Sequence, residues 1–257
     1  MMHIITRSTL VALSTLAIAA APRPAEAATP NYAVEANAGT SMMPGSGYTF
    51  SGYLAGQVAV DVVNDPPALQ WIHNLNQVLF SDAAAHSWAE IGSIAAHAYS
   101  LAERVQATNF PPGVKSTTMG RFVDRIHVVS DTLPNGTPVT LTFRHDLSVD
   151  SEGWGLNDGS AGCSLQVAGS SSSVSWSVLE GVVTAGPSSK LLEVKTTVGS
   201  TLSVSARLDV WARASFFVPG PRYNGELAVD ASCATPLVGV SGDVRVEAES
   251  GVDYSVL

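Results

Sequence analysis

Two long stretches of the chain alternate regularly between apolar and polar side chains. From Val139 to Val149 the odd positions are mostly apolar, while polar and charged residues fill the even positions. From Leu202 to Val210 it is the even positions that are apolar. Successive side chains of a strand point to opposite faces. Both stretches are therefore predicted to be strands with one buried face and one solvent-facing face.

Shorter strand patterns surround these two stretches. They fall near residues 58–63, 121–129, 173–179, 190–198, 224–232 and 243–249. Turn signals separate many of them, such as Pro134-Asn135-Gly136, Asn157-Asp158-Gly159 and Pro219-Gly220-Pro221. Regular strands with this punctuation and no alternating helices predict a mainly β fold, an antiparallel, jelly-roll-like β-sandwich over residues 57–257. The serine tract 169–173 is interpreted as a loop inside that domain.

The first hundred residues are less regular. Residues 28–56 are rich in glycine, alanine and serine without a sustained period, and are predicted to form a flexible lead-in. Apolar residues recur at helical spacing over residues 68–80, which predicts a short helix there. The alanine-rich run that follows could extend this helix. Gly92 interrupts it, however, and small side chains recur at every second position, so strands are favoured from about residue 87 onward.

The first 27 residues have the pattern of a cleavable signal peptide. Arg7 precedes an apolar run from Leu10 to Ala21, and Ala25-Glu26-Ala27 supplies the small-x-small pattern that signal peptidase recognises. The apolar run is too short for a permanent transmembrane helix. We therefore expect a secreted protein without a membrane anchor, passing through the periplasm to the outside.

The charge of the chain argues against a nucleic-acid partner. The formal net charge is −9, and removing the signal segment takes away two arginines and one glutamate, which gives −10. An acidic surface repels phosphate backbones, and no cluster of lysine and arginine offsets it locally.

Cys163 and Cys233 are the two cysteines of the chain. An even pair in an oxidising compartment predicts one disulfide. Closing a loop of this length would stabilise the fold by roughly 4 kcal/mol in the chain-entropy model. The alternative is two separate buried thiols.

Several segments resemble bacterial exported β-sandwich ectodomains of the PEP-CTERM type. They are Arg121-Phe122-Val123-Asp124-Arg125-Ile126, the turn at residues 133–139, the strand at 201–214 and the closing Ser250-Gly251-Val252-Asp253-Tyr254-Ser255. In that group a similar ending often precedes a sorting tail with a Pro-Glu-Pro signal, an apolar helix and a basic end. This sequence carries no such tail, so the resemblance implies release rather than anchoring. It also implies a surface or exopolysaccharide-associated role, and it supplies no catalytic residues.

Tryptophans on a solvent-facing sheet face are the best candidates for ligand binding. An aromatic ring can stack on a sugar while neighbouring polar groups bond its hydroxyls. Trp211 shares the polar face of its strand with Arg207, Asp209 and Arg213, unless another segment covers it. Trp154, flanked by glycines, is predicted to lie on a flexible loop and is a second candidate. Trp176 lies on the same face of its predicted strand as Val174 and Val178, and is interpreted as a core residue.

Metal and catalytic signals are weaker. Asp146, Asp150 and Asp158 bracket one predicted loop together with Glu152 and Asn157, and such oxygen ligands suit a calcium ion. The competing interpretation is a solvated acidic loop. The histidines are scattered singly, and His145 falls on an apolar strand face, where a hydrogen-bonded core histidine is expected. No Gly-x-Ser-x-Gly elbow is present.

Three classes of function stay open on this basis. The first is a secreted, non-enzymatic β-sandwich that binds extracellular polysaccharide or other surface components. The second is a secreted polysaccharide hydrolase, which requires two carboxylates about 5 to 10 Å apart in a groove. The third is a structural subunit that assembles through exposed edge strands.

Overall fold

The structure, a computed structural model, describes residues 31–42, 46–66, 69–72, 78–104, 113–155, 157–179, 182–185, 188–215, 225–255 and 257. These residues form sixteen strands. The strands are β1 Ala33–Met42, β2 Ser46–Ala55, β3 Ala59–Asn64, β4 Leu69–Ile72, β5 Val78–Glu90, β6 Ser93–Arg104, β7 Gly113–Val129, β8 Pro138–Gly155, β9 Asn157–Val167, β10 Ser170–Leu179, β11 Val182–Ala185, β12 Ser189–Thr197, β13 Thr201–Ser215, β14 Gly225–Ala234, β15 Leu237–Val240 and β16 Arg245–Ala248. A helix able to cross a bilayer is not found among the described segments.

The strands form two antiparallel sheets packed face to face, which confirms the predicted β-sandwich. The first sheet has the order β11-β10-β9-β13-β7-β1-β2, with β16 also paired to β7. The second has the order β12-β8-β14-β6-β5-β3, with β15 on β8 and β4 on β5. We call these the first and the second sheet. Of the seven strand pairings described in the first sheet, four join strands that are far apart in the chain: β9 with β13, β13 with β7, β7 with β1, and β7 with β16. Local patterns therefore do not reveal its strand order.

Alternation of side chains builds the core. The apolar positions of β8 and β13 point inward as predicted, and Leu141, Phe143, Val204 and Leu208 are fully buried. They meet between the sheets in one continuous hydrophobic cluster. Burying each such side chain contributes about 1.5–3 kcal/mol.

Small side chains let the two sheets approach closely along β5, β6 and β7. Alanines fill many inward positions of β5 and β6, as the small-residue stripe of the sequence indicated. Gly120 of β7 faces this region, and a Cβ there would overlap with Cγ2 of Ile94 and lie 3.3 Å from Oγ of Ser87. The close packing at this point therefore requires glycine.

A disulfide joins the sheets, as predicted. Cys163 of β9 lies in the first sheet and Cys233 of β14 in the second, with a Cα–Cα distance of 6.3 Å. Both residues are buried within the core cluster. The bond therefore crosses the middle of the sandwich rather than closing a surface loop.

The end of the chain docks on the middle of β7 through a buried carboxylate. Asp124 is fully buried. Its Oδ2 accepts hydrogen bonds from Ser250 Oγ at 2.6 Å and from the Tyr254 hydroxyl at 3.2 Å, and its Oδ1 accepts from the Arg125 amide at 2.7 Å. Two of the segments that carry the family resemblance thus contact each other directly.

Three expectations from the sequence are wrong within the described residues. Much of the predicted flexible lead-in, 28–56, forms β1 and β2, and Val34 of β1 is fully buried. The short helix expected over 68–80 is not formed at 69–72 or 78–80, which are strands, and residues 68 and 73–77 lie outside the description. The serine tract predicted as a loop is mostly the beginning of β10. The proposed signal segment, 1–27, also lies outside the described residues.

Candidate functional site

The outer face of β13 carries the predicted cluster around Trp211. Because inward positions alternate with outward ones, Arg207, Asp209, Trp211 and Arg213 all point away from the core. Trp211 is half-buried, whereas the alanine that follows it is fully buried. The sequence prediction that these four side chains share a face is consistent with this arrangement.

Three neighbouring strands present small polar side chains on the same face. In register, Trp211 lies opposite Ser160 of β9, Ser160 opposite Ser177 of β10, and Ser177 opposite Thr184 of β11. One row further along, Asp209 lies opposite Gly162 and Gly162 opposite Ser175. Since none of the β9 and β10 positions in these rows carries a bulky side chain, an open groove runs beside the tryptophan.

The groove has a volume of about 600 Å³, within the range of small-molecule sites. The strand spacing makes it roughly 14 Å wide between β13 and β11. We call it the Trp211 groove. Its outward-facing lining consists of serines, one glycine, one threonine and two residues of β13: Ser160, Gly162, Ser164, Ser173, Ser175, Ser177, Thr184, Asp209 and Trp211.

Gly162 forms the floor of the Trp211 groove. A Cβ at this position would have no atom within 4 Å, apart from its own chain neighbours. The space above the glycine is therefore open. A larger side chain could enter it without distorting the sheet.

Charged groups lie on the same sheet face as the indole ring. The ammonium of Lys115, on β7, lies 5.2 Å from the ring centroid, a favourable cation–π distance. Next to it, Arg213 donates from Nε to Asp158 Oδ1 at 2.6 Å, and a second hydrogen bond links the same two side chains. This pairing raises the pKa of Arg213. The contact with Lys115 reduces the freedom of the ring and so lowers the entropic cost of stacking a ligand against it.

The single carboxylate among the described lining residues is already paired. Asp209 accepts two hydrogen bonds from Arg207, at 2.7 and 2.6 Å, and this bond is the main reason that the pKa of Arg207 is raised. The described lining of the Trp211 groove is therefore rich in hydroxyl groups, and an arginine neutralises its carboxylate. It suits a neutral ligand that can exchange hydrogen bonds with hydroxyls.

Trp154 lies elsewhere. It belongs to the end of β8 in the second sheet, in a strand rather than in the loop that its flanking glycines suggested. Its side chain is exposed, and its Nε1 donates a hydrogen bond to Glu226 of the neighbouring strand β14. The structure therefore does not bring the two candidate tryptophans together.

The three aspartates of the calcium prediction are divided between the sheets. Asp146 and Asp150 lie on β8, while Asp158 lies on β9. Asp146 accepts a hydrogen bond from Arg144 at 2.5 Å, and Asp158 is held by Arg213. Calcium binding stays a prediction, and the ion would have to displace both arginines.

Histidines of the described chain fall into two groups. His86, His97 and His127 lie at the surface and each contacts an acidic side chain. His145 is fully buried, as its apolar strand face indicated, but neither of its ring nitrogens has a hydrogen-bond partner within the described part of the chain. The expectation of a hydrogen-bonded core histidine is therefore only half right.

Sequence reasoning missed the serine floor of the Trp211 groove. Its signal was present, since serines recur at 171, 173, 175 and 177 with period two. The serines up to residue 173 suggest a loop because small polar residues are common in turns, whereas the pattern over residues 173–179 predicts a strand. What the sequence does not reveal is that this strand lies two places from β13 in the sheet.

A second depression of the same volume lies under the closing segment. It is lined mainly by aliphatic side chains between Leu237 and Val252, and Tyr254 in its wall is buried. It offers no exposed aromatic ring. The Trp211 groove is therefore the better candidate.

Comparison with known proteins gives no further guide to the site. No protein-family model, curated protein or solved structure matches the chain.

Proposed function

We propose that the protein is a secreted, non-enzymatic carbohydrate-binding β-sandwich that holds a neutral polysaccharide in the Trp211 groove. The observation that carries the proposal is a positioned, half-buried indole beside a floor of hydroxyl groups. Sugars offer the complementary surface, because the apolar face of the ring stacks on an aromatic and the hydroxyls at its edge exchange hydrogen bonds.

The shape of the Trp211 groove favours an extended chain over a small compact ligand. It is open to solvent, and a flat floor runs across three strands, β9 to β11. A polysaccharide segment can lie along such a surface while the rest of the chain continues past it. This geometry also fits the exopolysaccharide-associated role that the family resemblance implies.

A hydrolase is the less favoured alternative at this site. Hydrolysis of a glycosidic bond ordinarily uses two carboxyl groups that flank the bond. Of the described residues that line the Trp211 groove, Asp209 alone has a carboxylate, and an arginine pairs with it. The groove is therefore better equipped to bind a sugar chain than to cleave it.

Self-assembly is a second candidate function, favoured by a separate observation. At the β11 end of the first sheet, Leu179, Val182 and Val183 are more than half exposed. An edge strand with exposed apolar side chains can pair with another copy. Light scattering at increasing protein concentration tests this candidate, which predicts that the mass rises.

The carbohydrate proposal is tested with a glycan array and polysaccharide pull-downs on the purified protein. Trp211→Ala removes the stacking surface, and we expect its affinity to fall at least about tenfold, since one good stacking or hot-spot contact accounts for 1.4 kcal/mol or more. Trp154→Ala is the matched control and should bind as the wild type does.

Each assay is run with calcium and with a chelator. Equal binding in both conditions would separate the sugar site from the predicted calcium residues. Binding that survives Trp211→Ala would contradict the proposed site. The absence of binding to every glycan tested would contradict the proposed function and favour self-assembly.

A further inference from the structure

His145, Cys163 and Cys233 form a buried group in the centre of the sandwich. Their ring nitrogen and sulfur atoms all lie within 4.8 Å of one another. Each of the three residues is at most 1% exposed. The histidine comes from β8, and the cysteines come from β9 and β14, so both sheets contribute to the group.

In the oxidised protein, no hydrogen bond of the described structure explains why a histidine occupies position 145. A buried imidazole without hydrogen bonds costs free energy, because its polar nitrogens lose their bonds to water and gain none in the fold. Neither Nδ1 nor Nε2 has a hydrogen-bond partner among the residues that the structure describes. The positions before and after it on the same face, Phe143 and Leu147, are apolar, and a leucine at 145 would complete the pattern at no such cost.

The disulfide accounts for the two sulfurs but not for the imidazole beside them. Two thiolates and one imidazole make a nitrogen and sulfur ligand set that Zn²⁺ prefers. We infer that, when the disulfide is reduced, His145, Cys163 and Cys233 together bind one Zn²⁺ ion. The same three residues then have two alternative states, a disulfide or a metal site.

The disulfide state converts to the zinc-bound state in two steps. First, two thiol groups of a thiol reductant give two electrons and two protons to the Cys163–Cys233 bond, which yields two cysteine thiols and the oxidised reductant disulfide. Second, Zn²⁺ binds both sulfurs and the imidazole nitrogen, and two protons leave the thiols. Reoxidation removes both thiolates and therefore releases the metal.

The three side chains need to move only a short distance to form the zinc site. Zinc–sulfur and zinc–nitrogen distances of about 2.3 and 2.0 Å in a tetrahedral site place the ligand atoms roughly 3.5–3.8 Å apart. The three ligand atoms already lie within 4.8 Å of one another. Once the sulfur–sulfur bond is broken, the sulfurs can separate to these distances by side-chain rotation.

Zinc uptake by the full chain tests the inference. The protein is reduced with a phosphine, and bound Zn²⁺ is counted by equilibrium dialysis. Co²⁺ is used in parallel, because thiolate ligation gives it strong near-ultraviolet absorption. We expect one metal ion per reduced chain and none in the oxidised chain. Affinity should be at least about tenfold lower in His145→Leu, since losing even an outer-shell partner of a ligand can cost that much.

Two controls keep the result interpretable. His127→Leu removes a surface histidine and should bind zinc as the wild type does. The circular dichroism of oxidised His145→Leu should match that of the wild type, which shows that the variant folds. Should reduction unfold the wild type, added Zn²⁺ is expected to restore its β-sheet spectrum but not that of His145→Leu.

Three results would overturn the inference. They are a reduced, folded wild type that takes up no Zn²⁺, a His145→Leu variant that binds it as tightly as the wild type, and a reduced, unfolded wild type that Zn²⁺ does not refold.

Discussion

Asp124 shows how a single residue fastens the end of the chain to the sandwich. Desolvation raises the pKa of this buried carboxyl above its ordinary value, although its hydrogen bonds with Ser250, Arg125 and Tyr254 act in the opposite direction. Burial, together with the neighbouring carboxylate, also raises the pKa of Tyr254 well above its usual range. The closing segment is thus held by groups that the core surrounds.

Replacing Asp124 should therefore destabilise the protein in a graded way. Asp124→Ala leaves the Ser250 and Tyr254 hydroxyls without their acceptor, and we expect the free energy of unfolding to fall by about 3 kcal/mol. Asp124→Asn keeps the shape, and the two hydroxyls can turn to accept from the amide, so its loss should be clearly smaller. Urea unfolding of both variants measures this. Equal losses would contradict the hydrogen-bonding role.

His145 makes the stability of the oxidised protein depend on pH. Burial lowers the pKa of its imidazole below 6.5, more than the opposing effect of Asp146 raises it. The unfolded chain therefore takes up a proton first as the pH falls. Below about pH 6.5 the wild type should lose up to about 1.4 kcal/mol per pH unit from this group, until the folded pKa is reached.

His145→Leu should remove this part of the pH dependence. It should also raise the free energy of unfolding at neutral pH, because two unpaired buried nitrogens disappear. Urea titrations between about pH 5 and pH 8 compare it with the wild type, and His127→Leu serves as the surface control. A variant with the same pH slope as the wild type would show that the imidazole is not desolvated.

At the scale of elements, two glycines on the strands that flank β13 have opposite roles. Gly120 of β7 faces the second sheet, where an added methyl would overlap with Ile94, whereas Gly162 of β9 faces open space. We expect Gly120→Ala to destabilise by about 1–3 kcal/mol through overpacking. Gly162→Ala should be neutral or slightly stabilising, since glycine costs about 0.5–1 kcal/mol in a strand. Thermal unfolding of the two variants tests the contrast, and similar losses in both would contradict the assigned packing.

Strands whose inward and outward positions differ strongly in hydrophobicity could be predicted from the sequence. Strands in which these positions differ little could not. The inward stripes over residues 139–149 of β8 and 202–210 of β13 consist mainly of large apolar residues, so their period is clear. In β1 the buried positions include Ala36 and Ala38, whose small side chains differ little from the glycines and serines around them. Its pairing with β7 turns this segment into a strand, and that contact lies some eighty residues away in the sequence.

At the scale of the whole molecule, the sandwich and its disulfide could be predicted because each depends on simple rules. Alternation with turn signals gives an antiparallel fold, and two cysteines allow only one pairing within the chain. The Trp211 groove depends instead on strand order. The sequence placed Trp211 on a polar face, but the serine floor beside it comes from β9 and β10, about 35 to 50 residues earlier.

The most direct test of the central claim is an NMR titration of the isotope-labelled protein with the polysaccharide fragment that binds best. A carbohydrate site in the Trp211 groove predicts shifts of the Trp211 indole N–H and of the Ser160 and Gly162 amides, and predicts that Gly162→Ile, which fills the floor, abolishes them. Shifts confined to the second sheet, or unchanged binding by Gly162→Ile, would contradict it.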